Sequence, residues 1–336
     1  MNNTISVHSS VQEALAKLEE LDFQTLFVLS EDGRVQGTLT DGDIRRGIMA
    51  GKGLDRTVED FMYRSFRSVK ESEIDVEFLK NCREKHIYII PVLDSEGRLK
   101  DTINLKEKKS ILPVDAVLMA GGLGKRLRPL TDNTPKPLLK VGGKAIIDHL
   151  VQRLQRYGVS NTYVTVNYLA EQIIDHFKDV SGVQCVREQE FLGTIGSLRF
   201  IENLKDEILV MNSDIYTQID LEAFYLHFRQ SGADMCIATT PYDVSIPYGI
   251  IDLRNGQVKA IKEKPVFNYY INAGIYLIRK SVLDLIPEGK VFHATDLVNT
   301  LSENGGKVVH FPINGIWIDI GSFEEYQKAC ELTVRD

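Results

Sequence analysis

The chain has 336 residues, of which 43% are hydrophobic and 26% charged, and 47 acidic against 40 basic residues give a formal net charge of −7. This length suffices for two domains with separate cores, and the acidic balance differs from the basic excess of general nucleic-acid-binding proteins. No apolar run approaches the roughly 20 residues of a membrane-spanning helix, and the N-terminal sequence lacks the features of a signal peptide.

An internal repeat occupies the N-terminal part of the chain. The stretch FVLSEDGRVQGTL, residues 27–39, recurs as PVLDSEGRLKDTI, residues 91–103. Each copy predicts a helix, an apolar strand, a turn at Gly33 or Gly97 and a second strand. Two copies are too few for a solenoid and indicate a paired α+β module with pseudo-twofold symmetry, which we assign to residues 1–108.

A charged stretch closed by Pro113 indicates an interdomain linker, and an alternating pattern follows it over residues 114–336. Strands are predicted at residues 114–119, 162–167, 183–188 and 207–213. Helices are predicted along the apolar face from Ile146 to Leu154, ended by Gly158, and at residues 170–177 and 197–204. This alternation predicts an α/β domain with a mostly parallel, Rossmann-like mixed sheet, whose ligands bind beyond the carboxyl ends of the strands.

The C-terminal third is less regular. Asn255-Gly256 between two apolar runs predicts a β-hairpin. Ser322, with Glu325 three residues later, predicts a capping box at the start of the last helix. Thr295 is a predicted helix cap, and we assign no role to the neighbouring His293. Further strands are predicted at residues 269–278 and 308–320.

The stretch AGGLGKRLRPLTDNTPKPLL, residues 120–139, carries the strongest chemical signal. It is not a Walker loop, because Arg126 stands where Ser or Thr is needed, and it is not a dinucleotide fingerprint, because Leu127 replaces the third glycine. Gly121, Gly122 and Gly124 can bring backbone N–H groups close to phosphate oxygens. A plain strand-to-helix turn is the alternative.

Two cations follow these glycines. Cleavage of the α–β bond of a nucleoside triphosphate needs positive charge at the pyrophosphate leaving group and at the α-phosphate. Arg126 suits the leaving group because its planar guanidinium binds two oxygens. Lys136, stiffened by Pro135 and Pro137, suits the α-phosphate as a point charge. The motif therefore predicts nucleotidyl transfer rather than hydride or γ-phosphoryl transfer.

These residues closely resemble the signature of sugar-1-phosphate nucleotidyltransferases, which make nucleotide sugars and release pyrophosphate. The resemblance covers about residues 114–333 and includes EFLGTIGSL, NSD, YGIID, KEKP, NAGIYLI and WIDIGS. It implies further site residues: Gly193 for the nucleobase, Gly249, Glu263, Lys264 and Asn272 for the sugar 1-phosphate, and Asp214 and Asp319 for Mg²⁺.

The chemistry of these residues agrees with the implied roles. Magnesium is commonly held by one or two carboxylates together with substrate phosphates. The attacking sugar phosphate oxygen is already anionic, so catalysis depends on positioning and charge neutralisation and needs no general base. Alternatively, Asp214 could cap a helix near Leu221 or satisfy a turn, and Asp319 could cap the last helix. Glu263 could form an ordinary solvated pair with Lys264.

In the first repeat copy, GTLTDGDIRRGI resembles the G-x-x-T-x-x-D stretch of CBS-domain pairs, which often bind adenosine nucleotides. The resemblance implies that Thr40 contacts a phosphate or ribose of AMP or ATP and that Asp43 contacts the ribose hydroxyls. Asp43 could equally be a first-turn helix residue. Asn104 and Glu107 at the matching positions predict one nucleotide site rather than two, and an empty structural module is the alternative.

CBS pairs ahead of such a transferase resemble the glucosamine-1-phosphate guanylyltransferases of bacterial nonulosonic (legionaminic) acid synthesis. This favours GTP and a hexosamine 1-phosphate as substrates, and Glu188, five residues before Gly193, could accept hydrogen bonds from guanine. The alternatives are a UTP- or CTP-dependent enzyme, a nucleotide sensor with an inactive transferase-like domain, and a non-sugar acceptor such as phosphocholine.

The remaining expectations concern location and assembly. The cysteines are widely spaced, which disfavours a disulfide framework or a metal cluster and favours a reducing cytoplasm. We expect a cytoplasmic homo-oligomer, by default a dimer, without nucleic-acid or membrane partners. The four cysteines are Cys82, Cys185, Cys236 and Cys330.

Overall fold

The computed structural model describes residues 3–70 and 73–333. The contacts within the chain divide it into two units, one ending at Ile111 and the other beginning at Leu112. The N-terminal unit contains strands β1 (Thr4–Ser6), β2 (Thr25–Leu29), β3 (Val35–Thr40), β4 (Val69–Lys70), β5 (Ile89–Leu93) and β6 (Leu99–Asn104), and helices α1 (Val11–Glu19), α2 (Asp41–Met49) and α3 (Val76–Glu84).

The N-terminal unit has the repeated order of elements that the sequence predicts. The strands form two three-stranded sheets, β1-β2-β3 and β4-β5-β6. The two copies meet through a shared cluster that includes Phe27, Val35 and Ile89, and the backbone N–H of Val35 donates to the carbonyl of Gly97 at 3.0 Å. Each copy therefore buries apolar surface against the other, as a paired module requires.

The two copies differ after their last strand. In the first copy, Thr40 caps α2: its hydroxyl accepts from the N–H of Asp43 at 3.2 Å, and the Asp43 carboxylate accepts from the N–H of Thr40 at 2.9 Å. In the second copy, Asn104 donates to Glu107 at 2.7 Å within a turn. The departure from the sequence motif thus coincides with the loss of a helix.

The C-terminal unit is built on a mixed sheet. Its strands are β7 (Asp115–Met119), β8 (Lys140–Val141), β9 (Lys144–Ala145), β10 (Thr162–Val166), β11 (Val183–Arg187), β12 (Glu207–Asn212), β13 (Ile215–Thr217), β14 (Met235–Ser245), β15 (Ile250–Arg254), β16 (Gln257–Lys262), β17 (Val266–Arg279), β18 (Val308–Pro312) and β19 (Trp317–Asp319). Its helices are α4 (Ile146–Arg156), α5 (Ala170–Phe177), α6 (Leu221–Ser231), α7 (Ala294–Glu303) and α8 (Phe323–Thr333).

The central sheet has the strand order β11-β10-β7-β12-β17-β14-β18. Strand β7 pairs in parallel with β10 and β12, and β10 pairs in parallel with β11. Strand β17 is antiparallel to β12 and β14, and β18 is parallel to β14. This mixed, mostly parallel sheet confirms the predicted α/β fold class. Strand β7 lies inside the sheet, so the glycine loop leaves from its carboxyl end.

The helix predicted at residues 197–204 is wrong in type and length, because the structure has a 3-10 helix over Gly196–Phe200. Leu198, Ile201 and Leu204 are buried together in one core cluster. Of these three residues only Leu198 lies within the 3-10 helix, because the chain is already extended at Ile201. Asn203 has φ 57°, which does not continue a right-handed helix.

Two other predicted elements differ from the structure. The strand predicted at residues 308–320 is two strands: β18 joins the central sheet and β19 pairs with β13. The intervening turn contains Gly315 at φ 129°, a conformation that L-residues rarely adopt. Helix α7 begins at Ala294 with His293 as N-cap, so the predicted cap at Thr295 is wrong. The Asp296 carboxylate accepts from the N–H of His293 at 2.8 Å.

The hairpin agrees with the sequence, whereas the final capping box forms only in part, because the Glu325 carboxylate accepts from the N–H of Gly321 at 3.1 Å rather than from that of Ser322. Asn255 and Gly256 both have positive φ, 51° and 78°, as a two-residue type I′ turn requires. The N–H of Glu325 donates to the Ser322 hydroxyl at 3.3 Å. Over the described residues, every helix is too short or too polar to cross a membrane.

Candidate active site

The glycine loop borders a cavity of about 310 Å³ at the carboxyl end of β7. Gly124 has φ 60°, and a Cβ atom there would lie 3.0 Å from the Thr131 side chain and 3.1 Å from that of Lys136. A Cβ atom on Gly122 would meet no other atom within 4 Å. The cavity lining includes Gly122, Gly124, Arg126, Lys136, Asp214 and Gly321.

Strand pairing brings the two candidate metal ligands together. Asp214 immediately precedes β13, and Asp319 is the last residue of β19. In the antiparallel register Asp319 lies opposite Ile215, and the N–H of Ile320 donates to the carbonyl of Asp214 at 3.0 Å. Burial raises the pKa of Asp319, and the charge of the neighbouring Asp214 raises it further.

The two candidate catalytic cations join this pair. Lys136 is 7% exposed, and its ammonium forms an ion pair with Asp214. A buried charge needs such a partner. The Arg126 guanidinium lies 3.9 Å from Asp319. Lys136 and Arg126 both act to lower the pKa of Asp319, against the larger effect of burial. Four charged groups from separate parts of the sequence therefore converge.

Neither aspartate is a helix cap, so those alternative interpretations are wrong. Asp220 caps α6, because its carboxylate accepts from the N–H groups of Glu222 and Ala223, both at 3.1 Å. The Ser322 hydroxyl caps α8. Asp214 lines the cavity, and Asp319 lies beside Asp214 through the pairing of β13 with β19.

The donor set at this point fits a magnesium ion. Within residues 3–70 and 73–333, no cluster of three or more His, Cys, Asp or Glu side chains is placed to hold a metal. Mg²⁺ is commonly bound by one or two carboxylates, with substrate phosphates and water as the other ligands. The neighbouring Asp214 and Asp319 match that arrangement, since a divalent cation would relieve the repulsion between their carboxylates.

The sequence analysis missed two residues that shape this site. A Cβ atom on Gly321 would lie 2.8 Å to 3.0 Å from guanidinium atoms of Arg126, so glycine makes room for that side chain. The Ser213 hydroxyl donates to the carbonyl of Met119 at 2.6 Å and ties the end of β12 to the start of the glycine loop. Both follow recognised motif residues, but their roles depend on contacts through space.

The predicted base-binding segment packs against the start of α7. Gly193 has φ 83°, and a Cβ atom there would lie 2.5 Å from the carbonyl oxygen of Phe292. The N–H of Thr194 donates to Nδ1 of His293 at 3.3 Å, and the Thr194 hydroxyl accepts from the N–H of Ala294 at 2.9 Å. His293, to which the sequence analysis gave no role, therefore positions this segment.

Glu188 combines deep burial with an unpaired oxygen. The residue is 5% exposed, and among the described residues its Oε2 has no hydrogen-bond partner. This atom would be 3.4 Å from a Cβ on Gly121, so it lies beside the glycine loop. Burial raises the pKa of Glu188, while contacts with Ser197 and Thr165 act in the opposite direction. A buried acceptor without a partner is costly and suggests a ligand donor.

The predicted sugar-binding residues lie on the β15–β16 hairpin and on β17. A Cβ on Gly249 would lie 2.8 Å from Oε2 of Glu263, at the base of the hairpin. Within the described ranges, the exposed side chains of Glu263 and Lys264 have no ion-pair partner, and these two residues do not contact the charged cluster. Asn272 donates to the Tyr276 hydroxyl at 2.8 Å. Their sugar-binding role stays a prediction.

The N-terminal unit contains a cavity of about 560 Å³ at the CBS-like motif. In the structure the Asp43 carboxylate is engaged, because it accepts from the Thr40 hydroxyl and pairs with Arg46, both at 2.6 Å. The cavity lining includes cations and aromatic rings, namely Arg46, Tyr63, Phe66, Arg67, Tyr88 and Lys106.

Comparison with known sequences finds two family matches in the chain. Residues 115–335 match the profile of the family described as nucleotidyl transferase, and residues 2–50 match that of the CBS domain. A curated relative from Oryza sativa subsp. japonica, named "Probable mannose-1-phosphate guanylyltransferase 1", is 31% identical over 231 residues, which are 65% of this chain and 64% of the relative. The "Bifunctional protein GlmU" of Methanocaldococcus jannaschii is 32% identical over 219 residues, which are 62% of this chain and 51% of that protein.

Solved structures agree with the fold of the C-terminal unit. HddC from Yersinia pseudotuberculosis has a TM-score of 0.51 and 31% identity, covering 65% of this chain and 99% of HddC. The same protein complexed with GMP-PN gives a TM-score of 0.52 and 30% identity. The chain thus aligns with nearly all of HddC but with only about half to two thirds of the curated relatives.

Replacement of Asp319 by asparagine should raise the free energy of unfolding at neutral pH. A carboxyl group whose pKa is raised in the folded state destabilises that state as the pH rises from its ordinary value, 3.8, through the raised value. Urea unfolding in the presence of a chelator should therefore show a gain that is largest near neutral pH and fades under acid conditions. The exposed Asp179→Asn is the control, and a gain independent of pH would contradict the expected cause.

Proposed function

We propose, from the premise that the chain belongs to the nucleotidyl transferase family, that it transfers a nucleoside monophosphate from a nucleoside triphosphate to a sugar 1-phosphate and releases pyrophosphate. The observation that carries this proposal is the convergence of Arg126, Lys136 and Asp214 in the glycine-loop cavity, with Asp319 beside them. Nucleotidyl transfer requires such charge neutralisation around one phosphorus atom.

The reaction is an in-line displacement at the α-phosphorus. An oxygen of the sugar phosphate forms the new P–O bond, while the bond from the α-phosphorus to the bridging oxygen breaks and its electron pair leaves with pyrophosphate. The attacking oxygen is already ionised at neutral pH, so no side chain has to remove a proton. The protein supplies orientation and positive charge.

Each cation has a separate part in this proposal. Lys136 is rigidly held, because it opens a 3-10 helix between two prolines and is almost fully buried, and it would stabilise charge on the α-phosphate. The Arg126 side chain is 72% exposed, and it can therefore move to the pyrophosphate. Asp214 and Asp319 would hold Mg²⁺, which neutralises phosphate charge when bound.

GTP is the proposed nucleotide. The supporting observations are the guanylyltransferase name of a relative, the HddC complex with GMP-PN and the unpaired Glu188 oxygen near Gly121. Guanine has an N1–H and an exocyclic amine, and a carboxylate can accept hydrogen bonds from both groups together. A hexosamine 1-phosphate is the proposed acceptor, on the resemblance in domain arrangement alone. A UTP- or CTP-dependent enzyme is the alternative within the same class.

A substrate grid tests the activity directly. The full-length protein with Mg²⁺ is incubated with each of four nucleoside triphosphates and with several hexose and hexosamine 1-phosphates, and pyrophosphate is measured. Turnover with a sugar 1-phosphate supports the proposal and identifies base and sugar. Nucleotide binding without turnover of any pair would favour the alternative of a nucleotide sensor with an inactive transferase-like unit.

Lys136→Ala should lower kcat on the order of 10²–10³-fold, as expected for the loss of one preorganised charge-stabilising donor. Steady-state kinetics with saturating substrates measures this loss, and circular dichroism confirms that the variant is folded. Lys140→Ala removes an exposed lysine four residues later and should retain nearly full activity. A near-normal rate for Lys136→Ala would show that the ammonium does not stabilise charge on the reacting α-phosphate.

Glu188→Gln should reduce the ratio of kcat/KM for GTP to that for UTP. It should also increase stability above the ordinary carboxyl pKa of 4.5, because burial raises the pKa of Glu188 in the folded protein. The stability gain should shrink as the pH falls. Exposed Glu190→Gln is the matched control. Unchanged base preference, with or without the stability gain, would refute the role in guanine recognition.

We also propose that the N-terminal cavity binds an adenosine nucleotide and regulates the transferase. The match to the CBS domain and the combination of cations with aromatic rings around the cavity support this. The Lys106 ammonium lies 5.2 Å and 5.5 Å from the ring centroids of Phe23 and Tyr88, and the second copy lacks the helix that follows Thr40 in the first. One nucleotide per chain is therefore proposed.

Calorimetric titration of the full-length protein with AMP and ATP should give one site per chain. Arg46→Ala should weaken binding about tenfold or more, since a charge-assisted hydrogen bond to phosphate would be lost. Arg45→Ala, on the same helix and paired with Asp41 outside the cavity lining, is the control. Regulation requires that nucleotide change kcat or KM; binding without such a change would leave the unit without a regulatory role.

A further inference from the structure

The chain between Arg126 and Lys136 makes an excursion of turns and bends, residues 128–135. Three consecutive main-chain carbonyls of this excursion lie within hydrogen-bond distance of side-chain donors outside it. The Tyr168 hydroxyl lies 3.2 Å from the carbonyl of Thr131 and 3.0 Å from that of Asp132. The Gln172 amide donates to the carbonyl of Asn133 at 3.0 Å.

The held part of the excursion contacts the glycine loop. The Thr131 hydroxyl donates to the carbonyl of Gly124 at 2.9 Å. The Thr131 side chain is also the nearest neighbour of a hypothetical Cβ on Gly124, at 3.0 Å. At its other end the excursion leads through Pro135 directly into Lys136. A shift of the excursion would therefore be transmitted both to the glycine loop and to the buried ammonium.

The supporting segment, residues 167–172, also contacts the proposed base side of the site. The Asn167 amide donates to the carbonyl of Glu188 at 3.2 Å, and its Cβ would be 3.3 Å from a Cβ on Gly121. Leu169 has φ 49°, a left-handed conformation that is uncommon for leucine. The surrounding contacts thus hold a strained backbone between β10 and α5, next to both halves of the site.

We propose that Tyr168 is a positioning residue for the phosphate-binding part of the transferase site. Its hydroxyl fixes the excursion so that Gly124 and Lys136 keep the geometry required by the triphosphate, and Gln172 assists. This inference rests on the proposed function. Tyr168 is not among the residues that line the glycine-loop cavity, and its hydroxyl reaches only the carbonyls of the excursion, so its loss should affect the triphosphate selectively.

Tyr168→Phe retains the ring and removes only the hydroxyl. We expect kcat/KM for the nucleoside triphosphate to fall about tenfold, since small misplacements of catalytic groups are costly, while KM for the sugar 1-phosphate and the ranking of the four bases stay unchanged. Gln172→Leu should give a smaller change of the same kind. Tyr326→Phe removes a comparable bond, from a tyrosine hydroxyl to the carbonyl of Lys140 at 2.7 Å, and should leave these kinetics unaltered.

Hydrogen–deuterium exchange provides a measurement that does not depend on turnover. Amides of the excursion and of residues 124–127 should exchange faster in Tyr168→Phe than in the wild type, with the rest of the C-terminal unit unchanged. If the wild-type protein shows no transferase activity, faster exchange in Tyr168→Phe would still support the positioning role, although the proposed function would have failed. Unchanged exchange in Tyr168→Phe would overturn the inference. So would a loss of kcat/KM in Tyr168→Phe that is equal for both substrates and is matched by Tyr326→Phe.

Discussion

The pairing of two three-residue strands, β13 and β19, holds the charged site together. It places Asp319 beside Asp214, whereas the central sheet alone would leave β19 without a neighbour at this point. So short a pair is not stable by itself. It is supported by a separate apolar cluster that joins the glycine-loop region to the last helix, formed by Leu127, Leu139, Val141, Ile146, Ile318, Ile320 and Ala329.

This arrangement concentrates charged side chains at the site, although they add little to the stability of the unliganded protein. Asp319 is held among other charges at a cost that its raised pKa reports, and Glu188 retains an oxygen without a partner among the described residues. Lys136 is tolerated in the interior because Asp214 compensates its charge. Such groups destabilise the folded chain but are preorganised for a ligand that carries phosphates, a cation and hydrogen-bond donors.

Local patterns predicted most of the central sheet and singled out the residues of the charged cluster, because alternating apolar runs and clustered glycines leave a signal in sequence. They failed where tertiary contacts decide the outcome. Residues 197–204 have helical composition, but the helix ends at Phe200, and Leu198, Ile201 and Leu204 are buried in one core cluster from a largely non-helical backbone. Gly321 and Thr131 act through contacts with distant segments, which no spacing rule can anticipate.

The segment after β10 shows how one short stretch can serve two ends of a ligand. Asn167 holds the backbone of Glu188, and Tyr168 holds the excursion that leads to Lys136. Under the proposed function, the distance between base recognition and phosphate recognition is therefore fixed by two successive residues in one strained loop. A single loop of this kind fixes the distance between the base-binding and phosphate-binding groups more tightly than two independent loops could. Each independent loop would add its own mobility.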